Sequence, residues 1–138
     1  MSLDLTPSEA LDLWRRVLVS EVRRAGPDLS SRQLALVLTV YLTAPPHTVR
    51  GLAALLAISK PAVTRALNRL GKLGILRRKI DESDRRSVLV QRTVKGSVFL
   101  REFADLVALA GRGLGRSPPI IAEAPGTATA PIATGGFE

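Results

Sequence analysis

From Ile58 to Asp81 the chain reads ISKPAVTRALNRLGKLGILRRKID, a capped amphipathic helix followed at once by an extended pattern. Ser59 is a good N-cap, and Lys60 and Pro61 fall in the first turn, where a missing N–H costs nothing. With Val63 as reference, Ala66, Leu67 and Leu70 share one side of a 3.6-residue helix, while Pro61, Thr64, Arg65, Asn68 and Lys72 lie opposite. One side suits a core and the other a partner. The outer side carries a guanidinium, a carboxamide, a hydroxyl and an ammonium but no carboxylate, the groups that read base edges and grip phosphates in a DNA major groove. Gly71 loosens the last turn and Gly74 ends the helix. A basic helix face taken alone is more often simply a solvated face, so the neighbouring segments decide.

Charge placement is the first of these. The net charge is +8, yet Lys60 to Arg101 alone holds twelve Lys or Arg against three acids, a surplus of nine, and the rest of the chain sums to −1. Positive charge crowded around one candidate reading element is the electrostatic footprint expected for a polyanion partner. Competing chemistries lack their residues. With no cysteine and one histidine, His47, the chain has no disulfide and too few soft ligands for a zinc site. No nucleophile–base pair, metal cluster or phosphate loop can be assembled, so neither an enzyme nor a cofactor is expected. The longest apolar run, Leu34 to Leu42, is far short of the ~20 residues that cross a bilayer, and MSLDLTPSEA is no secretory signal. A soluble intracellular protein with no membrane partner is expected.

The flanking segments read as helices. After Pro7, Leu11, Trp14, Leu18 and Val22 recur at helical spacing with Val17 beside them, up to Gly26-Pro27. This first helix, placed at 7–25, has a wide stripe to cover a core or a second subunit, and Trp14 reads as packing. Ser30 with Gln33 forms a capping box for a nearly all-apolar helix over 30–43, with Leu34, Val37, Leu38, Tyr41 and Leu42. Ala44-Pro45-Pro46-His47 breaks it. His47 reads as an ordinary loop histidine. Thr48 then caps a short third helix, where Leu52, Leu55 and Leu56 are expected to point inward. That helix and the Ser59 helix are joined by only a residue or two around Ala57 and Ile58, so the pair forms a helix-turn-helix with the second helix, 59–72, as its reader.

Beyond Gly74, Ile75 to Asp81 and Ser87 to Thr93 are two strand-length runs joined by the polar Glu82-Ser83-Asp84-Arg85-Arg86. They predict a hairpin that leans on the helices behind it, since two strands alone are marginal. Arg77, Arg78 and Lys79 are expected to line one side of it. Arg85 and Arg86 sit at its tip, 81–86, where an arginine can enter a narrow minor groove, and Asp81 or Asp84 can hold one of these guanidiniums through a bidentate pair. A reading helix followed by a basic hairpin is a winged helix. Thr93 caps a last helix over 93–111, with Phe99, Phe103, Leu106 and Ala110 on its stripe, and Gly111, Gly113 and Gly115 end it.

The run TVRGLAALLAISKPAVTRALNRLGKLGILRRKIDESDRRSVLVQRTVKG resembles the reading core of the MarR family of bacterial transcription regulators. The resemblance rests on the leucine-rich third helix, the SKPAVTRALNRL reading helix, the Gly74-Ile75 turn into the wing, the D-x-x-D-R-R tip at Asp81, Asp84, Arg85 and Arg86, and the T-x-K-G run at Thr93, Lys95 and Gly96. It implies a mainly α fold with a small β-hairpin wing, and sequence-specific binding of double-stranded DNA. It further implies that Ser59, Lys60, Pro61, Thr64, Arg65 and Asn68 lie in or beside the major groove and that Arg85 or Arg86 lies at the minor groove. Residues 1–116 then form one winged-helix domain with 48–93 as its reading core. The tail, 117–138, has four prolines and three glycines from Ser117 onward, which favours an extended or disordered end over the further helix with which such proteins usually finish. The stripes on the first and last helices still need cover, so a homodimer is expected. The family often binds aromatic compounds between its lobes, and Trp14, Tyr41 and His47 are the residues that could face a small aromatic effector. A cytoplasmic, nucleoid-associated protein follows from the same resemblance. The reading from another class is a winged-helix docking module, whose basic face meets an acidic protein.

Overall fold

The computed structural model describes residues 4–113, so the expected tail, 117–138, lies outside the described residues. Five helices and one hairpin follow in the order α1 (Pro7–Arg23), α2 (Ser31–Leu42), α3 (Val49–Leu56), α4 (Lys60–Lys72), β1 (Leu76–Ile80), β2 (Val88–Arg92) and α5 (Val94–Arg112). Each start has a local cause. Thr6, Ser30, Thr48, Ser59 and Thr93 all have extended backbone, and the side-chain oxygen of each accepts an N–H three residues on. At Ser30 the capping box is complete, because Gln33 returns the bond to the Ser30 N–H.

The α3–α4 turn places Ala57 in the left-handed region (φ 52°), with the Ile58 N–H on the Ala53 carbonyl, which brings α4 across α3 within three residues. Gly74 (φ +74°) ends α4 as expected, since a side chain there would be strained and would press on the Lys95 stem.

The main core joins α2, α3, α4, the root of the hairpin and α5: Leu36, Val37, Val40, Leu52, Val63, Leu67, Leu70, Ile75, Leu76, Val90 and Phe99 are all buried in it. A smaller cluster of Val17, Phe103 and Ala110 packs α1 on α5. Periodicity misjudged some members. Leu55 and Leu42 were expected inside but are 64% and 74% exposed, whereas Leu36 and Val40 take the central places on α2. A helix that is apolar all round has no legible inner face, and the tertiary contacts choose one. The α1 stripe, expected to cover a core or a second subunit, does not enter the core of the single chain: Leu11, Trp14, Leu18 and Val22 are exposed, Trp14 by 53%, and α1 turns Val17 and Asp12 inward. Asp12 is buried against its own turn by Arg15 and Arg16, and the Arg16 guanidinium, aided by Arg15, holds its carboxyl below the usual carboxylate value.

β1 and β2 pair antiparallel, with Leu76 opposite Arg92 and Ile80 opposite Val88. The hairpin leans on α3, where an isolated bridge joins Thr48 to Leu89 and the Val90 N–H bonds the His47 carbonyl at 2.8 Å. Its root is tied to α2 and α5 by one side chain. The Tyr41 hydroxyl donates to the Ile75 carbonyl (2.7 Å) and accepts the Thr93 N–H (2.9 Å). Gly96 lies against that hydroxyl and the Ile75 carbonyl, so close that no Cβ fits. Among the described residues, no helix is long and apolar enough to cross a membrane.

Candidate nucleic-acid interface

Ser59 and Pro61 stand at the exposed start of α4, and Arg65, Asn68 and Lys72 follow along its exposed side with Thr64 half-buried beside them. The face inferred from spacing is therefore the outward one, and Ala62, Val63, Ala66, Leu67 and Leu70 are buried on the other. Between the first turns of α4 and the wing runs a cleft of about 340 Å³. Thr48, Arg50, Lys60, Thr64, Arg78, Arg86 and Ser87 line it, with Val49 and Val88 as its apolar floor. Three guanidiniums and an ammonium meet here and no carboxylate does. Such a single-signed cleft concentrates field on an anion.

Arg50 is the member that sequence reasoning missed. It precedes the basic segment and sits at the second position of α3, and the one signal for it was its closeness to the Thr48 cap. Arg86 lines the cleft whereas Arg85 does not, which separates two neighbours that the sequence left equivalent.

The wing corrects two expectations. Arg77, Arg78 and Lys79 do not line one side, because successive strand residues alternate faces. Arg78 shares its face with the buried Leu76 and turns toward α4, donating to the Asn68 Oδ1 at 2.6 Å. Arg77 takes the opposite face with Lys79 and bonds Gln91 across the ladder at 3.1 Å.

The second correction concerns the tip acids. Among the described residues neither Asp81 nor Asp84 pairs with a guanidinium. Asp81 accepts the Ser83 hydroxyl (2.7 Å) and N–H (3.0 Å), and Asp84 accepts the Arg86 N–H and the Ser87 hydroxyl. Partners two or three residues away are reached with little loss of chain freedom, so the carboxylates close the turn and leave the arginines outward. The Ser83 hydroxyl and then its N–H hold the Asp81 carboxyl below the usual carboxylate value.

Two arginines of the basic segment serve the scaffold. Arg69 donates to the Asp28 carbonyl and to Gln33 Oε1, each at 2.6 Å, which ties α4 to the start of α2. Arg92 caps the other end of α2 through the Val40 and Thr43 carbonyls at 2.9 and 3.0 Å.

Trp14, Tyr41 and His47 do not gather in one ligand pocket. Trp14 borders a small cavity of about 50 Å³ under α1 with Val17, Leu34 and Phe103. His47 borders a separate cleft of about 340 Å³ with Val40, Pro45, Pro46, Arg77 and Leu89. Tyr41 spends its hydroxyl on Ile75 and Thr93. The sequence supplied three amphipathic side chains but not the distances between them.

Comparison with known proteins bears on the fold. The family model "MarR family" matches residues 29–88. The fold is similar to that of a transcriptional regulator from Thermotoga maritima, at 24% identity and a TM-score of 0.57 over 73% of this chain and 66% of that one. It is also similar to the S. aureus MepR–DNA complex, at 19% identity and a TM-score of 0.58 over 73% of this chain and 77% of that one. A mutant MarR from E. coli complexed with operator DNA matches at 23% identity and a TM-score of 0.58 over 76% of this chain and 69% of that one. No curated protein sequence matches the chain significantly.

Proposed function

We propose that this chain, whose residues 29–88 match the MarR family model, is a MarR-type transcription regulator that binds double-stranded DNA by sequence. In this reading α4 lies in a major groove and presents Ser59, Lys60, Pro61, Thr64, Arg65 and Asn68 to it, with Lys72 on the backbone. The wing reaches the adjoining minor groove with Arg86, and Arg85 beside it faces phosphate. The observation that carries the proposal is the acid-free cationic cleft between α4 and the wing, continuous with the outward face of α4. Phosphate contacts supply most of the affinity and the α4 face supplies the selectivity.

The protein acts as a homodimer. The single chain leaves Leu11, Trp14, Leu18 and Val22 of α1 and Leu109 of α5 exposed on the two helices that pack together through Val17, Phe103 and Ala110, and a partner subunit would cover them. Two readers would then meet half-sites about one DNA turn (~34 Å) apart. For a small aromatic effector, the His47 cleft has the volume and the apolar walls. A flat thermal-shift response to a panel of phenolic acids removes the effector from the proposal.

The test is duplex binding over a salt series. Arg65→Ala is expected to weaken the selected operator by about 1–3 kcal/mol and relax base preference, whereas Lys72→Ala weakens every duplex alike and flattens the salt slope. Binding to an acidic protein without any salt-dependent duplex binding would replace this reading with the docking module.

A further inference from the structure

Asn68 on α4 and Arg78 on β1 are both exposed and are joined by a hydrogen bond of 2.6 Å from Arg78 Nη2 to Asn68 Oδ1. The wing fixes this contact. Leu76, two residues before Arg78 on the same strand face, is buried, and so is Val90, which pairs with Arg78 across the ladder. Arg78 therefore projects toward α4 while Arg77, turned the other way, is engaged by Gln91.

A guanidinium has five donors and no acceptor. The usual ambiguity of an amide, which end is oxygen and which nitrogen, is thereby resolved by its partner. The Asn68 oxygen faces Arg78, and its two N–H groups remain for another ligand. An unengaged carboxamide pairs with adenine through both ends, accepting from N6 and donating to N7. Arg78 takes one of the two lone pairs of that oxygen, and a charged donor there makes it a weaker acceptor for a second bond, so Asn68 presents mainly its donating half. That half suits the acceptors of guanine (O6, N7) or thymine (O4) and offers the adenine amino group only the weakened oxygen.

Resting on the DNA-binding reading above, we propose that Arg78 determines base specificity through Asn68, by holding the carboxamide so that it presents its donors and only a weakened acceptor. Arg78 is a positioning residue: it sets what Asn68 reads without itself touching the base.

The experiment is selection of bound duplexes from a randomised library at one salt concentration, with wild type, Asn68→Ala, Arg78→Ala and Arg78→Lys. Wild type should enrich guanine or thymine at the base pair that becomes indifferent in Asn68→Ala. Arg78→Ala should melt with wild type, still bind, and shift that one base pair toward adenine by roughly tenfold, since a bidentate amide–adenine pair forms once the oxygen is free. Arg78→Lys, whose ammonium also only donates, should keep the wild-type preference.

An unchanged motif with uniformly weaker binding in Arg78→Ala would make Arg78 a phosphate contact and overturn the proposal. So would adenine at the Asn68-dependent position in wild type. If Asn68→Ala alters no position while Arg65→Ala does, DNA reading stands and this inference falls. If wild type enriches no sequence, DNA reading falls and takes the inference with it.

Discussion

Gly96→Ala puts two physical arguments in opposition. Gly96 is the third residue of α5, and by helix propensity alone alanine there should stabilise by about 1 kcal/mol. The packing predicts the reverse. An added Cβ would overlap the Tyr41 hydroxyl and the Ile75 carbonyl and would lie 2.7 Å from Tyr41 Cζ. To admit the methyl, Tyr41 must swing away or α5 must lift from the root of the wing. The first route loses the bonds to Ile75 (2.7 Å) and Thr93 (2.9 Å). The Ile75 carbonyl keeps a second partner in the Thr93 hydroxyl, so the larger cost is the stranded Thr93 N–H, about 1–3 kcal/mol, with the lost Ile75 bond adding about 1 kcal/mol. Set against the propensity gain, the net expectation is a loss of about 1–3 kcal/mol, or roughly 4–12 °C in Tm for a domain of this size. Thermal unfolding followed by circular dichroism at one fixed protein concentration measures it, because a dimer's Tm depends on concentration. Tyr41→Phe should cost a similar amount, and Gly96→Ala should cost less in that background than in wild type. A Tm equal to or above wild type for Gly96→Ala, or strict additivity of the two changes, would refute the reasoning. The same substitution should weaken duplex binding, since the wing root that it displaces carries Arg78.

Three further expectations follow from the structure. Arg50→Ala should lower affinity for all duplexes alike and reduce the slope of log K against log salt by about one; an unchanged slope would remove Arg50 from the interface. Leu18→Glu should shift sedimentation toward a monomer with helicity retained, whereas Leu55→Glu, on the exposed side of α3, should leave assembly alone; equal behaviour of the two would refute the assigned dimer face. The Asp81 carboxyl is held below its ordinary value of 3.8, so its contribution to the wing tip is complete above that value and is lost as pH falls through the lower folded pKa. Ser83→Ala should move the Asp81 titration, read by carboxyl NMR shifts, back up toward 3.8, and an unmoved titration would refute the Ser83 cause.

What could be read from the sequence was what nearby residues decide. Ser30 with Gln33, Thr48, Ser59 and Thr93 were legible as caps because a cap and its N–H lie three residues apart, and all four make that bond. The outward face of α4 was legible because Val63, Ala66, Leu67 and Leu70 leave one side polar. Where the deciding partner is distant, the reading failed or was incomplete. Leu42 and Leu55 had nothing local to mark them as exposed. Trp14, Tyr41 and His47 shared chemistry but not a location. The tip acids were given the guanidiniums of Arg85 and Arg86, when the short hydroxyl side chains of Ser83 and Ser87 meet them with less chain to order. For Arg77, Arg78 and Lys79 the information was present and unused, since a strand's two-residue alternation alone separates the middle residue from its neighbours.

The same distinction reorganises the basic segment. Counted as charge, the twelve Lys or Arg from Lys60 to Arg101 form one footprint, yet the structure divides them by what they touch. Arg69 and Arg92 spend their donors on main-chain carbonyls at the two ends of α2. Removing either would loosen the platform under α4. Arg78 spends one donor on Asn68, so its charge faces the cleft while its geometry governs a neighbour. Arg50 and Lys60 border the same cleft from α3 and the start of α4. Net charge thus overstates the ionic contacts with DNA and understates the control of geometry. The salt slope should report fewer released counterions than twelve per chain, because an arginine already bonded to carbonyls is not available to a phosphate.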